Sequence, residues 1–182
     1  MIDIELVKKA ILLTQQGKIA DAREIYNNLE KENPDNPDLM SIIGLFYVNI
    51  YDYAKAIETL EKAISLKKTF GTISALGFAY YEQQNYKKSA EILEEAIKLG
   101  ANEDIYNKLI SSLFEIKNYA KAIEYSNKMY ELYPNDNRAI ANKIKSLTQQ
   151  GQMLEAEKLC VESLKKTPDA ANLWFHLGYL KE

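Results

Sequence analysis

The side chains with the most reactive potential are one histidine, His176, and one cysteine, Cys160, which stand sixteen residues apart. A zinc site takes three or four such ligands, and a nucleophilic cysteine needs a base held beside it. Acidic residues are plentiful, but runs such as LEEAIK at 93–98 are typical of a solvated helix surface. The sequence has no glycine-rich phosphate loop and no nucleophile elbow. We therefore predict no catalytic residue, no cofactor-binding residue and no metal ligand, and a protein that is not an enzyme.

Charge and hydropathy exclude other classes of function. The net charge is −3 and the isoelectric point about 5.4, whereas nucleic-acid binding needs a concentrated field of Lys and Arg. The longest nearly apolar stretch, 42–51, is too short for a bilayer, which needs about 20 residues. A single cysteine forms no internal disulfide and suits a reducing compartment. The N-terminus lacks the layout of a secretory signal. We expect a cytoplasmic protein with no nucleic-acid partner and no membrane partner.

The elements that must position any functional side chain recur at steps of 33 or 34 residues. An aromatic or apolar residue recurs at Ile19, Tyr53, Tyr86, Tyr119 and Met153, and a small residue follows three positions later at Ala22, Ala56, Ser89, Ala122 and Ala156. Upstream, two further columns lie at Leu6, Met40, Ile73, Tyr106, Ile140 and Trp174, and at Ala10, Gly44, Gly77, Ile110, Ile144 and Gly178. Spacings of three, four and seven place such residues on one helix face. Cys160 holds the repeat position of Tyr26, Leu60 and Leu93, which are predicted core residues, so we expect it to be buried.

The pattern therefore predicts that each repeat unit consists of two helices, A and B, joined by a short turn. In the second unit helix A is expected over about Pro37–Ile50 and helix B over about Tyr53–Leu66. Asn36 is placed to cap helix A, and Pro37 suits a first helical turn because its missing N–H needs no partner there. The unit boundaries carry Pro34, Pro134 and Pro168, or Gly100, which stop helix B.

The second unit resembles the tetratricopeptide repeat family, whose helix A carries W-x2-L-G-x2-Y. The matching residues are Met40, Ile43, Gly44 and Tyr47, followed by Ala56, Leu60 and Ala63 on helix B. Lys9 and Lys143 depart from the pattern where leucine is usual. The resemblance implies an all-α fold, a right-handed superhelical solenoid of antiparallel helix pairs in one array over 1–182. We expect five full repeats, at about 3–36, 37–69, 70–102, 103–136 and 137–170, and a half repeat at 171–182.

In this family the helices A line a concave groove that receives an extended peptide or a partner helix. The resemblance therefore implies a non-catalytic scaffold for protein–protein interaction. Its groove positions fall at Leu45, Asn49, Phe78, Tyr81, Asn107, Lys108, Phe114, Arg138, Asn142 and Lys145. We expect the aromatic residues to contact apolar side chains of the partner, the asparagines its backbone, and the cations an acidic segment. Only Asn142 matches the carboxylate clamp of chaperone-binding members, which argues against that ligand.

Two alternatives remain open. The first is self-association into a homo-oligomer through the terminal repeats. The last helix carries Trp174, Leu177 and Leu180 and resembles an internal helix A, whereas a terminal cap should carry a polar outer face. The second alternative is that the chain is the recruiting segment of a larger enzyme.

Overall fold

The computed structural model describes residues 2–181. Over these residues the fold is all-α, with helices joined by short turns. Its helices are α1 (Ile4–Gln15), α2 (Ile19–Glu32), α3 (Pro37–Asn49), α4 (Tyr53–Leu66), α5 (Phe70–Glu82), α6 (Tyr86–Leu99), α7 (Glu103–Glu115), α8 (Tyr119–Leu132), α9 (Asn137–Gln149), α10 (Met153–Lys166) and α11 (Ala171–Leu180). The predicted all-α fold of helix pairs is confirmed. In residues 2–181 no helix is both long and apolar enough to cross a bilayer.

The helices form two compact units, Met1–Leu99 and Gly100–Glu182. In the first unit each odd-numbered helix packs on the even-numbered helix that follows it, and α5 also packs on α3 and α4. In the second unit α9 packs on α7, α8, α10 and α11, and α11 packs on α10 as well. We call α1, α3, α5, α7, α9 and α11 the helices A, and the others the helices B. The continuous array over 1–182 stays a prediction, and its end residues, Met1 and Glu182, lie outside the described residues.

The first turns of α1, α3, α5, α7 and α9 are held by side-chain caps, whereas α11 begins after Ala170 without one. The Asn36 side chain accepts a hydrogen bond of 3.0 Å from the Leu39 N–H, and Pro37 occupies the first turn, as predicted. Thr69 and Thr72 form a reciprocal capping box at the start of α5. These contacts satisfy N–H groups that the helix itself leaves without partners, so they fix where the capped helices begin.

The turn between helix A and helix B has the same backbone conformation in every repeat. One residue adopts a left-handed φ between 61° and 78°, and these residues are Gly17, Tyr51, Gln84, Lys117 and Gly151. The next N–H then reaches back to the helix; the Asp52 N–H, for example, donates to the Tyr47 carbonyl over 2.9 Å. This arrangement closes the end of the helix and reverses the chain, so helix B returns along helix A.

The two helices of a pair approach closely where a glycine faces a leucine. A Cβ built on Gly44 would lie 2.4 Å from Cγ of Leu60, and one built on Gly77 would lie 2.4 Å from Cδ2 of Leu93. Both leucines are completely buried. The glycine therefore acts as a socket for the leucine. In the second unit Cys160 is also completely buried, as predicted, and its Sγ donates to the Leu173 carbonyl over 3.0 Å.

We predict that Gly77→Ala destabilises the protein by up to about 2 kcal/mol. The overlap with Leu93 costs about 1–3 kcal/mol and outweighs a gain in helix propensity of about 1 kcal/mol. Gly178→Ala is the matched control, since Gly178 holds the same repeat position and a Cβ there would meet no described atom within 4 Å. It should be neutral or stabilising. Urea unfolding at low protein concentration measures both; equal effects of the two substitutions would contradict the socket.

Candidate functional site

A cleft of about 250 Å³ lies between α1 and α3 in the first unit. Its lining residues are Ile11, Thr14, Gln15, Tyr26, Ile42, Leu45, Phe46 and Asn49. None of them is charged. The buried rings of Tyr26 and Phe46 form its floor, with ring centroids 4.8 Å apart. The cleft is thus an apolar pocket with a polar rim.

Two of the predicted groove residues lie in this cleft. Leu45 is partly exposed on the α3 side, opposite Ile11 of α1, and Asn49 stands at the rim with Gln15. The amides of Asn49 and Gln15 each offer a donor and an acceptor. The sequence analysis did not single out the α1 residues as a binding site. The repeat register contained the signal, because Ile11 precedes Leu45 by 34 positions and Gln15 precedes Asn49 by the same distance.

Phe78 and Tyr81, also predicted for the groove, lie on α5 and are half-buried. The ring of Tyr81 meets the ring of Tyr86 on α6 edge to face, with centroids 5.4 Å apart. Part of this aromatic surface therefore stabilises the α5–α6 pair, and the remainder faces solvent.

In the second unit the predicted asparagines bind each other. Nδ2 of Asn142 on α9 donates to Oδ1 of Asn107 on α7 over 2.8 Å, and both residues are half-buried. Each amide retains hydrogen-bonding capacity beyond this bond. The pair links two helices A and orients both side chains.

Phe114, another predicted groove residue, is also half-buried in the second unit. Its ring packs on Tyr119, with centroids 5.2 Å apart, and Nζ of Lys145 lies 3.8 Å from its centroid. A cation at this distance from a ring face is attracted by the ring. Lys145 is thereby held on the helix-A face, although its side chain is exposed.

The cations predicted to meet an acidic ligand differ in their surroundings. Arg138 contacts Asp136 at 2.7 Å and Asp104 at 2.9 Å. The hydrogen bonds that Arg138 donates to Asp136 and Asp104 raise the pKa of Arg138, and Arg138 in turn lowers the pKa of Asp136. The charge of Arg138 is therefore compensated within the unit. Lys108 is half-buried on α7. Arg138 lines a surface depression together with Glu103 and Asp136, whereas Lys145 borders a pocket that contains no acidic residue.

That second pocket, of about 210 Å³, lies between α9 and α11. It is lined by Lys145, Thr148, Gln149, Phe175, His176 and Tyr179. Burial lowers the pKa of His176, and the positive charge of Lys145 lowers it further. Lys145 and Gln149 hold the same repeat positions as Leu45 and Asn49. The two units thus carry pockets at equivalent places, one uncharged and one basic.

The predicted terminal interface is only partly available on α11. Trp174 is 54% exposed and its indole N–H donates to the Pro168 carbonyl over 2.7 Å. Leu177 is buried in the core of the second unit, and Leu180 packs against the same core. Phe175 and Tyr179 are the other exposed aromatic residues of this helix.

The surroundings of Cys160 do not activate its thiol. Burial raises the pKa of the Cys160 thiol, which disfavours the thiolate. Within residues 2–181 no three side chains of His, Cys, Asp or Glu are grouped as metal ligands would be. The arrangement of both pockets supports binding of a ligand.

The family model described as tetratricopeptide repeat matches residues 7–69 and 74–137. Three solved structures are similar. The first is YrrB, a TPR protein with an unusual peptide-binding site, with 20% identity, a TM-score of 0.71 and coverage of 85% of this chain and 81% of that one. The second is MamA, with 25% identity, a TM-score of 0.79 and coverage of 89% of this chain and 96% of that one. The third is a tetratricopeptide repeat protein from Parabacteroides merdae ATCC 43184. It has 16% identity, a TM-score of 0.81 and coverage of 97% of this chain and 71% of that one. A comparison with curated proteins gave no match.

We predict that Lys145→Met raises the pKa of His176 toward its ordinary value of 6.5, because a nearby positive charge is removed. Since the folded-state pKa is depressed, the unfolded state binds more protons below about pH 6.5, and acidification destabilises the protein. This loss should be smaller in the variant. NMR titration measures the pKa directly, because the chain has one histidine. Lys143→Met on the same helix is the control; if it shifts the pKa equally, the assignment to Lys145 is wrong.

Proposed function

The chain belongs to the tetratricopeptide repeat family, and from this we propose that it is a non-catalytic scaffold that binds a peptide or helix of a partner protein. Binding is through the helix-A faces. The observation that carries this proposal is the uncharged cleft between α1 and α3, whose walls are apolar and whose rim is polar. A peptide offers the same combination, with apolar side chains on a polar backbone.

The first unit accepts an uncharged apolar side chain. Ile11, Ile42 and Leu45 provide the walls, and full burial of one Leu- or Phe-sized side chain contributes roughly 1.5–3 kcal/mol. The amides of Gln15 and Asn49 are placed to bind the adjoining peptide backbone. Phe78 and Tyr81 add a half-buried aromatic surface on α5 of the same unit.

The second unit accepts an acidic side chain with an apolar neighbour. Lys145 supplies the charge, and Phe175 and Tyr179 supply the apolar surface of the same pocket. The Asn107–Asn142 pair offers further hydrogen bonds to a backbone. The compensated Arg138 contributes less than its position in the sequence suggests.

Two further points belong to the proposal. The peptide-binding site of YrrB supports a peptide as the class of ligand. The compartment is the cytoplasm, where a single buried thiol such as that of Cys160 stays reduced.

A second candidate function is self-association through the last helix. It is favoured by three aromatic side chains, Trp174, Phe175 and Tyr179, that are exposed on α11.

We predict that Leu45→Asp weakens peptide binding at least tenfold, because it places a charge in the apolar cleft. Peptides would be selected from a random phage-displayed library on the wild-type chain, synthesised, and measured by fluorescence anisotropy. Leu66→Asp is the matched control, since Leu66 is 43% exposed and Leu45 is 38% exposed, but Leu66 lies on helix B of the same repeat. The proposal fails if Leu45→Asp and Leu66→Asp bind the peptide with equal affinity. It also fails if Leu45→Asp and a Phe78→Ala/Tyr81→Ala double variant both keep wild-type affinity.

A further inference from the structure

The last helix presents an uncharged apolar face to solvent. Leu173 and Leu177 of α11 are buried, and the opposite side carries Trp174 (54% exposed), Phe175 (74%) and Tyr179 (59%). The same side carries the small residues Ala171 and Gly178, which are exposed as well. Because these positions are separated by one, three and four residues, they form one contiguous stripe on the helix.

In the second and third repeats the positions of Trp174 and Gly178 are buried, and the glycine lies against helix B. The residues that share the repeat position of Trp174 include Met40, Ile73 and Tyr106, and all three are buried. Gly44 and Gly77 share the position of Gly178, and each receives a leucine from the antiparallel helix beside it. At Gly178 no atom of residues 2–181 lies within 4 Å of where a Cβ would stand. The socket is therefore formed on α11 and open.

The same helix also carries a side chain that fits such a socket. Trp174 lies on the stripe four residues before Gly178, about 6 Å along the helix axis. Its indole N–H is bound by the Pro168 carbonyl, and the side chain remains 54% exposed. A second α11 laid antiparallel on the first brings each Trp174 over the Gly178 of its partner, and the two contacts form together. A parallel partner helix would place tryptophan against tryptophan and glycine against glycine.

Charge favours the same occupant. The ten residues of α11 include no Asp, Glu, Lys or Arg, so two copies of this face do not repel each other. The whole chain has a net charge of −3, and an uncharged face adds no local repulsion when two copies approach.

We propose that two copies of the chain associate through an antiparallel, two-fold pairing of α11, with Trp174 of each copy seated on Gly178 of the other. This deepens the self-association candidate. Its defining residues, Trp174 and Gly178, line neither pocket, whereas Phe175 and Tyr179 of the same stripe also line the second pocket. An interface of two ten-residue helices falls below about 1,200 Å², the size of weak and transient complexes. The expected dissociation constant is about 10 µM to 1 mM.

Sedimentation equilibrium from about 5 µM to 1 mM tests the pairing. The wild type should pass from monomer to dimer, and Trp174→Ala should weaken the dimer at least tenfold. Leu154→Ala is the matched control, because Leu154 is 86% exposed on the adjacent helix α10 and should leave the dissociation constant unchanged. Circular dichroism confirms that each variant is folded.

A double variant tests the geometry. Gly178→Trp alone should weaken the dimer at least tenfold, because tryptophans then collide. Combining it with Trp174→Ala exchanges the two positions on both copies, and should restore an affinity within about tenfold of the wild type. The chain has one tryptophan, so wild-type fluorescence should shift to shorter wavelength at the concentration where the dimer forms, without any substitution.

The outcomes separate the two levels of the proposal. A wild type that stays monomeric to 1 mM overturns self-association itself, and leaves the face to a different protein. A dimer that is insensitive to Trp174→Ala, that leaves the fluorescence unchanged, or that the double variant does not restore, overturns the α11 pairing alone. Neither result bears on peptide binding in the cleft between α1 and α3, which contains no residue of α11.

Discussion

The structure depends on the close approach of helix A and helix B in each pair, which is seen most directly in α3–α4 and α5–α6, where a leucine of helix B is seated on a glycine of helix A. A single amphipathic helix leaves its apolar face in water, and a pair of helices buries that face only if the backbones come close. Gly44 with Leu60 and Gly77 with Leu93 show the contact at its tightest. The left-handed residue in each turn returns helix B to the position at which the contact forms.

This packing leaves one column of helix-A positions outside the core, and the proposed function rests on that column. Its members include Ile11, Leu45, Phe78, Lys145 and Tyr179. Substitution here does not disturb the seating of helix B, so the fold accepts an apolar residue in one unit and a basic residue in the other. The two pockets therefore differ in chemistry while they share a backbone framework.

The helices could be predicted because their signals are local. The column spacings located α3 and α4 to within one residue, and the Asn36 cap and the burial of Cys160 followed from sequence and register. The contacts of Arg138 with Asp104 and of Asn142 with Asn107 could not be predicted, because the partner lies on a neighbouring helix A and the contact depends on where the two side chains meet. The cleft at Ile11 depends on the distance between α1 and α3, and a pattern within either helix does not record that distance. The repeat register aligns equivalent residues of different repeats, but it does not show between which helices a cleft remains.

The central claim is that the helix-A faces, and not the outer faces of the helices B, bind the partner. Backbone amide chemical-shift mapping with a selected peptide tests it most directly, because it reports on every repeat at once. The account predicts the largest changes around the cleft, at Ile11, Leu45 and Asn49. Changes confined to the outer surface of α2, around Arg23, Asn27 and Lys31, would contradict it.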